Sequence, residues 1–345
     1  MIEHRGRKMK KSLVYVFLLI TITWLLLGCN QEIAGEETEE VVEEEHTVET
    51  EDDALVDVVN VEDISEGFRV ITIGAGSPST HSKKTWPATL VQYQDNYFLV
   101  DCGHGCTHGI AKAGVQPYDI ENILFTHHHA DHNTDFLSIL IAGWASHDPR
   151  SELNLIGTEG TQKFYDFALD FYEEDIQYRI DAGFTGPEGI IENVEVTEVE
   201  GEEEIELHDV KISTIHVPHS IKTVAYKFEA DGESVVITGD MTFNEEFIEF
   251  SKDADLVVMD GMLAEVQEDD PNYDMFQKLK SNLQQGHLTL EEVGKTAAEA
   301  NYKKMILTHL FNGKIDKELT TEIIREQGFE GEVMIAEQLG QYEVK

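Results

Sequence analysis

Four histidines and one aspartate lie within the six residues His127–His132. His127 and His129 alternate, so both side chains point to one side of an extended chain, and Asp131 and His132 turn back toward the same place. Imidazoles and a carboxylate in one tight loop suit zinc or another divalent first-row metal. The run therefore predicts half of a metal site, and His128, which points the other way, is expected to serve in packing or to support the ligands.

Three later stretches each place a polar candidate at the end of a short apolar strand pattern. His216 and His219 end the first pattern, Asp240 ends the second and His309 ends the third. Proteins of the α/β class usually place active sites at the carboxyl ends of their strands. We therefore expect these residues to complete the site, with His216 and His219 competing for one position.

Apolar periodicity predicts the elements that must position these residues. Strands are predicted at 69–73, 89–93, 97–100, 122–125, 194–199, 211–217, 225–229, 234–238, 256–260 and 304–308, and helices at 136–145, 161–178, 244–251, 290–300 and 319–327. Phe164, Phe167, Ala168 and Phe171 are predicted to share one face of the second helix. Thr289 and Glu292 form a capping-box pattern. The mixture predicts an α/β fold with sheets covered by helices.

The N-terminal 28 residues have the pattern of a targeting segment. A basic stretch is followed by the apolar run Leu13–Leu27, which at fifteen residues is short for a membrane span but fits the apolar region of a signal peptide. Leu26-Leu27-Gly28-Cys29 then resembles a bacterial lipobox, which implies that Cys29 becomes the lipidated first residue. An uncleaved anchor with an incidental cysteine is the alternative. Either way, the chain is expected outside the cytoplasm, attached to the cell membrane.

The charge of the chain limits the choice of partners. Its 68 acids outnumber 25 Lys and Arg, for a formal net charge of −43, and residues 30–66 contribute sixteen acids and no Lys or Arg. We predict a disordered acidic tether at 29–66 and a catalytic domain at 67–345. Phosphate contacts need basic side chains, so the charge argues against nucleic acid as a partner.

The order of the motifs resembles that of the metallo-β-lactamase-fold superfamily over residues 68–345. The resemblance implies a four-layer αββα sandwich. Three further motifs resemble the start of its ribonuclease Z and arylsulfatase-like branch, namely Gly74–Pro78, Pro87–Val91 and Leu99–Gly103. His219, seven residues before Tyr226, resembles the third motif of that branch, and this spacing favours His219 over His216. His287, just ahead of a predicted helix, resembles an extra histidine of the branch.

The resemblance also implies a role for each residue. It implies two divalent ions, zinc by preference with manganese or iron as alternatives, and no organic cofactor. One ion takes His127, His129 and His219, the other takes Asp131, His132 and His309, and Asp240 bridges both. Seven ligands leave room for a shared water. Asp131 is expected to orient that water or take its proton, and His287 to donate a proton to the leaving group.

The implied activity is metal-dependent hydrolysis of phosphodiester or related sulfate ester bonds in a small substrate outside the cytoplasm. One alternative is a ribonuclease Z-like endoribonuclease that processes transfer RNA 3′ ends, against which charge and location argue. The other is a metal- or solute-binding lipoprotein without turnover, which would not need Asp131 and His287 as acid–base groups. A homodimer is a further expectation, because dimers are common in this branch.

Two features near residue 104 stay open at the level of sequence. Cys102 and Cys106 are permitted to form a disulfide outside the cytoplasm, but their spacing would close a very small ring. They are also a weaker metal-site candidate than the histidine run. His104 replaces a glutamate common in this branch, and a supporting role and a plain loop role are equal alternatives.

Overall fold

The computed structural model describes residues 67–78 and 85–344. The predicted signal peptide, Cys29 and the predicted acidic tether lie outside the described residues. Most of the predicted strands and helices are present within one or two residues of their expected bounds, with several short elements added.

The described residues form fourteen strands and seven helices. The strands are β1 (Phe68–Gly74), β2 (Ala88–Tyr93), β3 (Asn96–Val100), β4 (Asn122–Phe125), β5 (Leu153–Gly157), β6 (Val194–Glu198), β7 (Glu204–Leu207), β8 (Val210–Val217), β9 (Thr223–Ala230), β10 (Glu233–Ile237), β11 (Leu256–Asp260), β12 (Lys304–Thr308), β13 (Glu332–Ile335) and β14 (Gly340–Glu343). The helices are α1 (Cys106–Lys112), α2 (Phe136–Trp144), α3 (Thr161–Asp181), α4 (Glu245–Phe250), α5 (Tyr273–Leu283), α6 (Leu290–Ala300) and α7 (Lys317–Glu326).

The strands form two mixed sheets of seven strands each. The first sheet has the order β14-β1-β2-β3-β4-β5-β6, and the second has the order β13-β12-β11-β10-β9-β8-β7. Strands β3 to β6 run parallel in the first sheet, and β10 to β13 run parallel in the second. Because the carboxyl ends of parallel strands meet at one edge, each sheet offers such an edge for functional side chains.

Three buried clusters divide the fold into four layers. Between the sheets, apolar side chains such as Phe98 of β3 and Phe228 of β9 meet, with ring centroids 5.6 Å apart. Helices α1 to α3 cover the outer face of the first sheet, and α4 to α7 cover the outer face of the second. This arrangement confirms the predicted αββα sandwich.

Helix α3 packs on a different stripe from the one that its aromatic residues indicated. Tyr165, Ala168 and Ile176 are buried against the first sheet, whereas Phe167 is 53% exposed and Phe171 is 67% exposed. Phe167 and Phe171, predicted to share a face with Phe164 and Ala168, therefore lie away from the core, because the helix buries the stripe that contains Tyr165, Ala168 and Ile176. Within the described part of the chain, no helix has the length and apolar character needed to cross a membrane.

The predicted cap of α6 is confirmed in detail. The hydroxyl of Thr289 accepts a hydrogen bond from the backbone N–H of Glu292, and the Glu292 carboxylate accepts one from the backbone N–H of Thr289. This reciprocal pair defines where α6 begins. The position matters, because His287 lies two residues ahead of the cap.

Candidate metal centre

The exit of strand β4 is held by the second sheet. The hydroxyl of Tyr226 donates a hydrogen bond to the carbonyl of Phe125 over 2.8 Å, and the backbone N–H of Val224 donates to the carbonyl of Thr126 over 3.0 Å. Both donors belong to β9 of the opposite sheet. His127, the next residue, is fully buried and is therefore positioned by both sheets together.

Three histidines converge beside the buried Asp240. Nδ1 of His129 lies 3.1 Å from Nε2 of His127 and 3.2 Å from Nε2 of His219. Oδ2 of Asp240 is 3.8 Å from Nε2 of both His127 and His219. With all four ligand atoms within 4.8 Å of one another, this group could hold a metal ion.

A second group lies on the other side of the same carboxylate. Oδ2 of Asp131 is 3.1 Å from Nε2 of His309 and 3.7 Å from Nε2 of His132. Asp240 is 3.4 Å from His132 through Oδ1 and 3.5 Å from His309 through Oδ2. Asp131, His132 and His309 form a further potential ligand set. Asp240 thus faces both groups, which is the arrangement a bridging carboxylate requires.

The charges of the cluster favour the binding of a cation between the two sets of potential ligands. Burial alone would raise the pKa of Asp240, but His309 and His132 hold it well below its usual range, so the carboxylate is ionised. Burial would lower the pKa of His132, but Asp240 and Asp101 hold it well above its usual range. A proton satisfies this demand in part, and a divalent metal would replace it.

The donor set also fits a metal ion chemically. Nε2 of His132 is buried and has no hydrogen-bond partner among the described residues, which is costly unless something binds it. Nδ1 of His219 donates a hydrogen bond to the carbonyl of Gly286 over 2.8 Å, which directs its Nε2 toward the cluster. The structure brings all seven predicted ligands together, and their binding of metal stays a prediction.

Asp101 supports the cluster from behind, and sequence reasoning gave it no role. Its Oδ2 accepts a hydrogen bond from Nδ1 of His132 over 2.7 Å and another from the hydroxyl of Thr126 over 2.8 Å. Its Oδ1 accepts from the backbone N–H of Thr126. One buried carboxylate therefore orients His132 and the residue before His127. The only signal was its place in the motif Leu99–Gly103.

His287 lies at the rim of the same cluster. Its ring centroid is 5.5 Å from that of His219 and 5.4 Å from that of His309. Nδ1 of His287 donates a hydrogen bond to Oδ2 of Asp260 over 2.8 Å. Burial opposes the charged ring, but Asp260 outweighs it and raises the pKa of His287 to about 9. Asp260 was also missed, although it ends a predicted strand.

Two other histidines of the motifs lie outside the cluster. His216 is exposed on β8, so the choice of His219 over His216 agrees with the geometry. His128 points toward α3, where its Nε2 is 3.1 Å from the hydroxyl of Thr161, and its ring packs 5.6 Å from that of Phe125. It therefore serves in packing, as the alternation of side chains predicts.

The structure shows the surroundings of His104 and of the two cysteines near it, Cys102 and Cys106. His104 is exposed, and its ring packs edge-on against Trp86 with centroids 5.5 Å apart. Cys102 and Cys106 are free thiols, both fully buried in the core beneath the first sheet. Burial, followed by the neighbouring thiol, raises the pKa of Cys102 well above its usual range, so Cys102 does not resemble a metal-binding thiolate.

Two mixed sheets between helices, with a buried histidine–aspartate cluster at the strand ends, define a hydrolase of the metallo-β-lactamase fold. The chain belongs to the family described as Anti-Pycsar protein Apyc1, whose model matches residues 68–310.

Relatives and solved structures agree with this assignment. Ribonuclease Z of Mycolicibacterium gilvum is 31% identical over 248 residues, covering 70% of this chain and 84% of the relative. Ribonuclease Z of Mycobacterium bovis is 29% identical, with 70% and 85% covered. The metallo-β-lactamase fold protein YhfI from Bacillus subtilis has a TM-score of 0.61 at 19% identity, with 81% of this chain and 100% of that chain covered.

Human tRNase Z, short form, has a TM-score of 0.57 at 18% identity, with 80% of this chain and 99% of that chain covered. These structures confirm the fold. Together with the ribonuclease Z relatives, they identify this chain as an enzyme, a metal-dependent hydrolase.

The hydrogen bond from His132 to Asp101 generates the first prediction. Asp101→Asn removes the charge that orients the ring, so we expect the affinity for divalent metal to fall by about 10–100-fold. Competition against a chromogenic chelator measures the affinity, and circular dichroism checks the fold. Asp95→Asn, in the exposed β2–β3 turn, is the matched control. Equal affinities for the two variants would contradict the role of Asp101.

Proposed function

We propose that this chain is a binuclear metal-dependent hydrolase of small phosphodiesters or related sulfate esters. One observation carries the proposal: Asp240 faces two separate ligand groups, and His287, whose pKa is raised to about 9 beside Asp260, lies next to both. Zinc is the preferred ion, because imidazole nitrogens and carboxylate oxygens make up the whole set, and manganese and iron are the alternatives.

The residues around the cluster suit the two proton transfers of ester hydrolysis. When bound, the divalent ions supply hydroxide near neutral pH and neutralise charge on the substrate oxygens. The Asp131 carboxylate has its pKa lowered, since His309 and His132 outweigh its burial, so it is ionised and able to orient a water or accept its proton. His287 stays protonated at neutral pH and can donate a proton to the leaving oxygen.

The charge of residues 161–206 supports a small substrate over a folded RNA. Between Thr161 and Glu206, fifteen Asp and Glu are accompanied by only Lys163 and Arg179. Phosphate contacts along an RNA backbone need Lys and Arg, and a field of this sign opposes them. Transfer RNA 3′ processing is the second candidate, and the relatives named ribonuclease Z favour it.

A substrate panel tests the proposal directly. Full-length protein in detergent, loaded with zinc or manganese, is offered bis-para-nitrophenyl phosphate, alkyl phosphodiesters, aryl sulfates and a transfer RNA precursor. We expect turnover of the small diesters or sulfates with little cleavage of the RNA. Preferred cleavage of the RNA would support the second candidate. Metal-loaded protein that is inert on every ester would instead indicate a metal- or solute-binding lipoprotein.

His287→Ala tests the proposed acid. With an alkyl leaving group we expect kcat to fall by about 10²–10⁴-fold. The loss should be much smaller with para-nitrophenolate, which leaves without needing a proton. Bound metal, measured by mass spectrometry, should be unchanged. His216→Ala, an exposed histidine on β8, is the matched control. Loss of metal from His287→Ala, or equal losses with both leaving groups, would refute the role.

The pairing of His287 with Asp260 generates a prediction about pH. Asp260 raises the pKa of His287, so the protonated acid persists to higher pH, and its contribution to the rate is lost as pH rises through that pKa. In Asp260→Asn the pKa falls, so the alkaline limb of kcat should move to lower pH by at least about one unit. The profile is measured with an alkyl diester. An unmoved limb would contradict the pairing.

We further propose that the enzyme acts outside the cytoplasm from a lipid anchor at Cys29. The support is the pattern Leu26-Leu27-Gly28-Cys29 after an apolar segment of fifteen residues. In a bacterial host, the Cys29→Ser variant should lack the lipid-derived mass, and the cleaved form of the protein should no longer appear in the membrane fraction. A wild-type protein without attached lipid would refute the anchor. The homodimer stays a prediction.

A further inference from the structure

A second group of potential ligands lies away from the metal centre. The carboxylates of Glu121 and Glu152 and the imidazole of His208 have ligand atoms within 4.8 Å of one another. Glu121 lies six residues before His127, with β4 between them. At about 3.3 Å per residue along a strand, the two positions are roughly 20 Å apart. This group therefore lies at the opposite ends of the strands, where β4 and β5 begin.

The fold brings these three side chains together from both sheets. Glu121 comes directly before β4 and Glu152 directly before β5, and these strands are parallel neighbours in the first sheet. His208 belongs to the two-residue turn between β7 and β8 of the second sheet, where it and Asp209 both have left-handed backbone, with φ of 53° and 63°. Its ring packs 6.2 Å from that of Phe98 in the first sheet.

The imidazole has an unsatisfied atom at this place. Nε2 of His208 is buried and has no hydrogen-bond partner among the described residues. A buried nitrogen without a partner costs free energy, so the folded chain gains from any group that binds there. This nitrogen without a partner, which a water or an ion could bind, is the first sign of a ligand at this place.

The two carboxylates lack a cationic partner. Across residues 67–78 and 85–344, no Lys or Arg forms an ion pair with Glu121 or Glu152. The nearby guanidinium of Arg150 is fully buried and donates to backbone carbonyls, those of Ile120, Ile139, Leu140 and Gly189. Burial, and then the like charge of Glu152, raises the pKa of Glu121, and the opposing influence of His208 and Arg150 offsets this only in part. A cation bound between the two carboxylates would relieve their repulsion.

We propose that Glu121, Glu152 and His208 form a separate site for one divalent first-row metal ion, of which Zn²⁺ is the probe. Two carboxylate oxygens and one imidazole nitrogen are ligands that zinc accepts, and water would complete a four-coordinate shell. An ion there would neutralise both carboxylates, satisfy His208 and join the amino ends of β4 and β5 to the β7–β8 turn. Its role is structural, because it lies far from the hydrolytic centre.

Zinc content of the full-length protein tests the site independently of hydrolysis. Protein in detergent is equilibrated with buffered free Zn²⁺ and analysed by mass spectrometry. Glu121→Gln/His208→Asn should bind one zinc ion fewer per chain than the wild type, with activity on a chromogenic diester within about twofold. The same loss is expected in an Asp240→Asn background, where the hydrolytic centre is impaired. Glu206→Gln, an exposed acid on β7, should lose no zinc.

The single variant His208→Asn protects the test against misfolding. Asparagine readily adopts the left-handed backbone of this turn, so the hairpin is retained while the imidazole is removed. Zinc should also raise the melting temperature of Asp240→Asn, and this rise should disappear when His208→Asn is added. Equal zinc content with and without the Glu121 and His208 substitutions would overturn the proposal, whatever the hydrolytic activity.

Discussion

The carboxylate of Asp240 is buried with four imidazoles within 3.8 Å, those of His127, His132, His219 and His309. An ionised carboxylate in such a place costs several kcal/mol unless cations and hydrogen bonds compensate it. The surrounding rings cannot all be charged, since burial and neighbouring His132 hold the pKa of His127 well below its usual range. The fold must therefore hold carboxylates and imidazoles in a fixed arrangement at one place. The two sheets do this because their strands end there.

Tight backbone turns make these strand ends possible. Gly239, directly before Asp240, has a φ of 62°, and a Cβ at this position would come within 2.8 Å of Cβ of Thr126. Asp101 and His309 adopt similar left-handed backbone, with φ of 60° and 55°, although each carries a side chain. Such backbone costs on the order of 1–3 kcal/mol per residue. The hydrogen bonds of Asp101 and the contacts of His309 offset that cost.

The sequence predicted which side chains meet at the candidate metal centre because each one carries a local signal. The run at 127–132 is dense in histidine, and the later residues end apolar strand patterns. Asp101 and Asp260 were missed, because their roles depend on contacts with His132 and His287, which lie 31 and 27 residues away along the chain. Residue type alone does not report such contacts.

The fold was predictable to a similar extent. Long apolar strands and the capped helix α6 were identified, but α5 buries only Phe276, and β7 alternates glutamates with half-buried residues. Short polar elements of this kind form because neighbours cover them, which periodicity cannot show. In α3, aromatic content indicated one face while the packing against the first sheet used another. Tertiary contacts outweighed the local pattern there.

The pairing of β14 with β1 has a consequence for folding during synthesis. Arg69 of β1 is opposite Glu343 of β14, so β1 cannot gain its outer neighbour until the chain has been synthesised as far as β14. Chains emerge amino end first, and contacts between distant residues form slowly. Until then β1 is an apolar edge open to other chains. Removal of β14 would therefore leave β1 as an exposed apolar edge prone to aggregation.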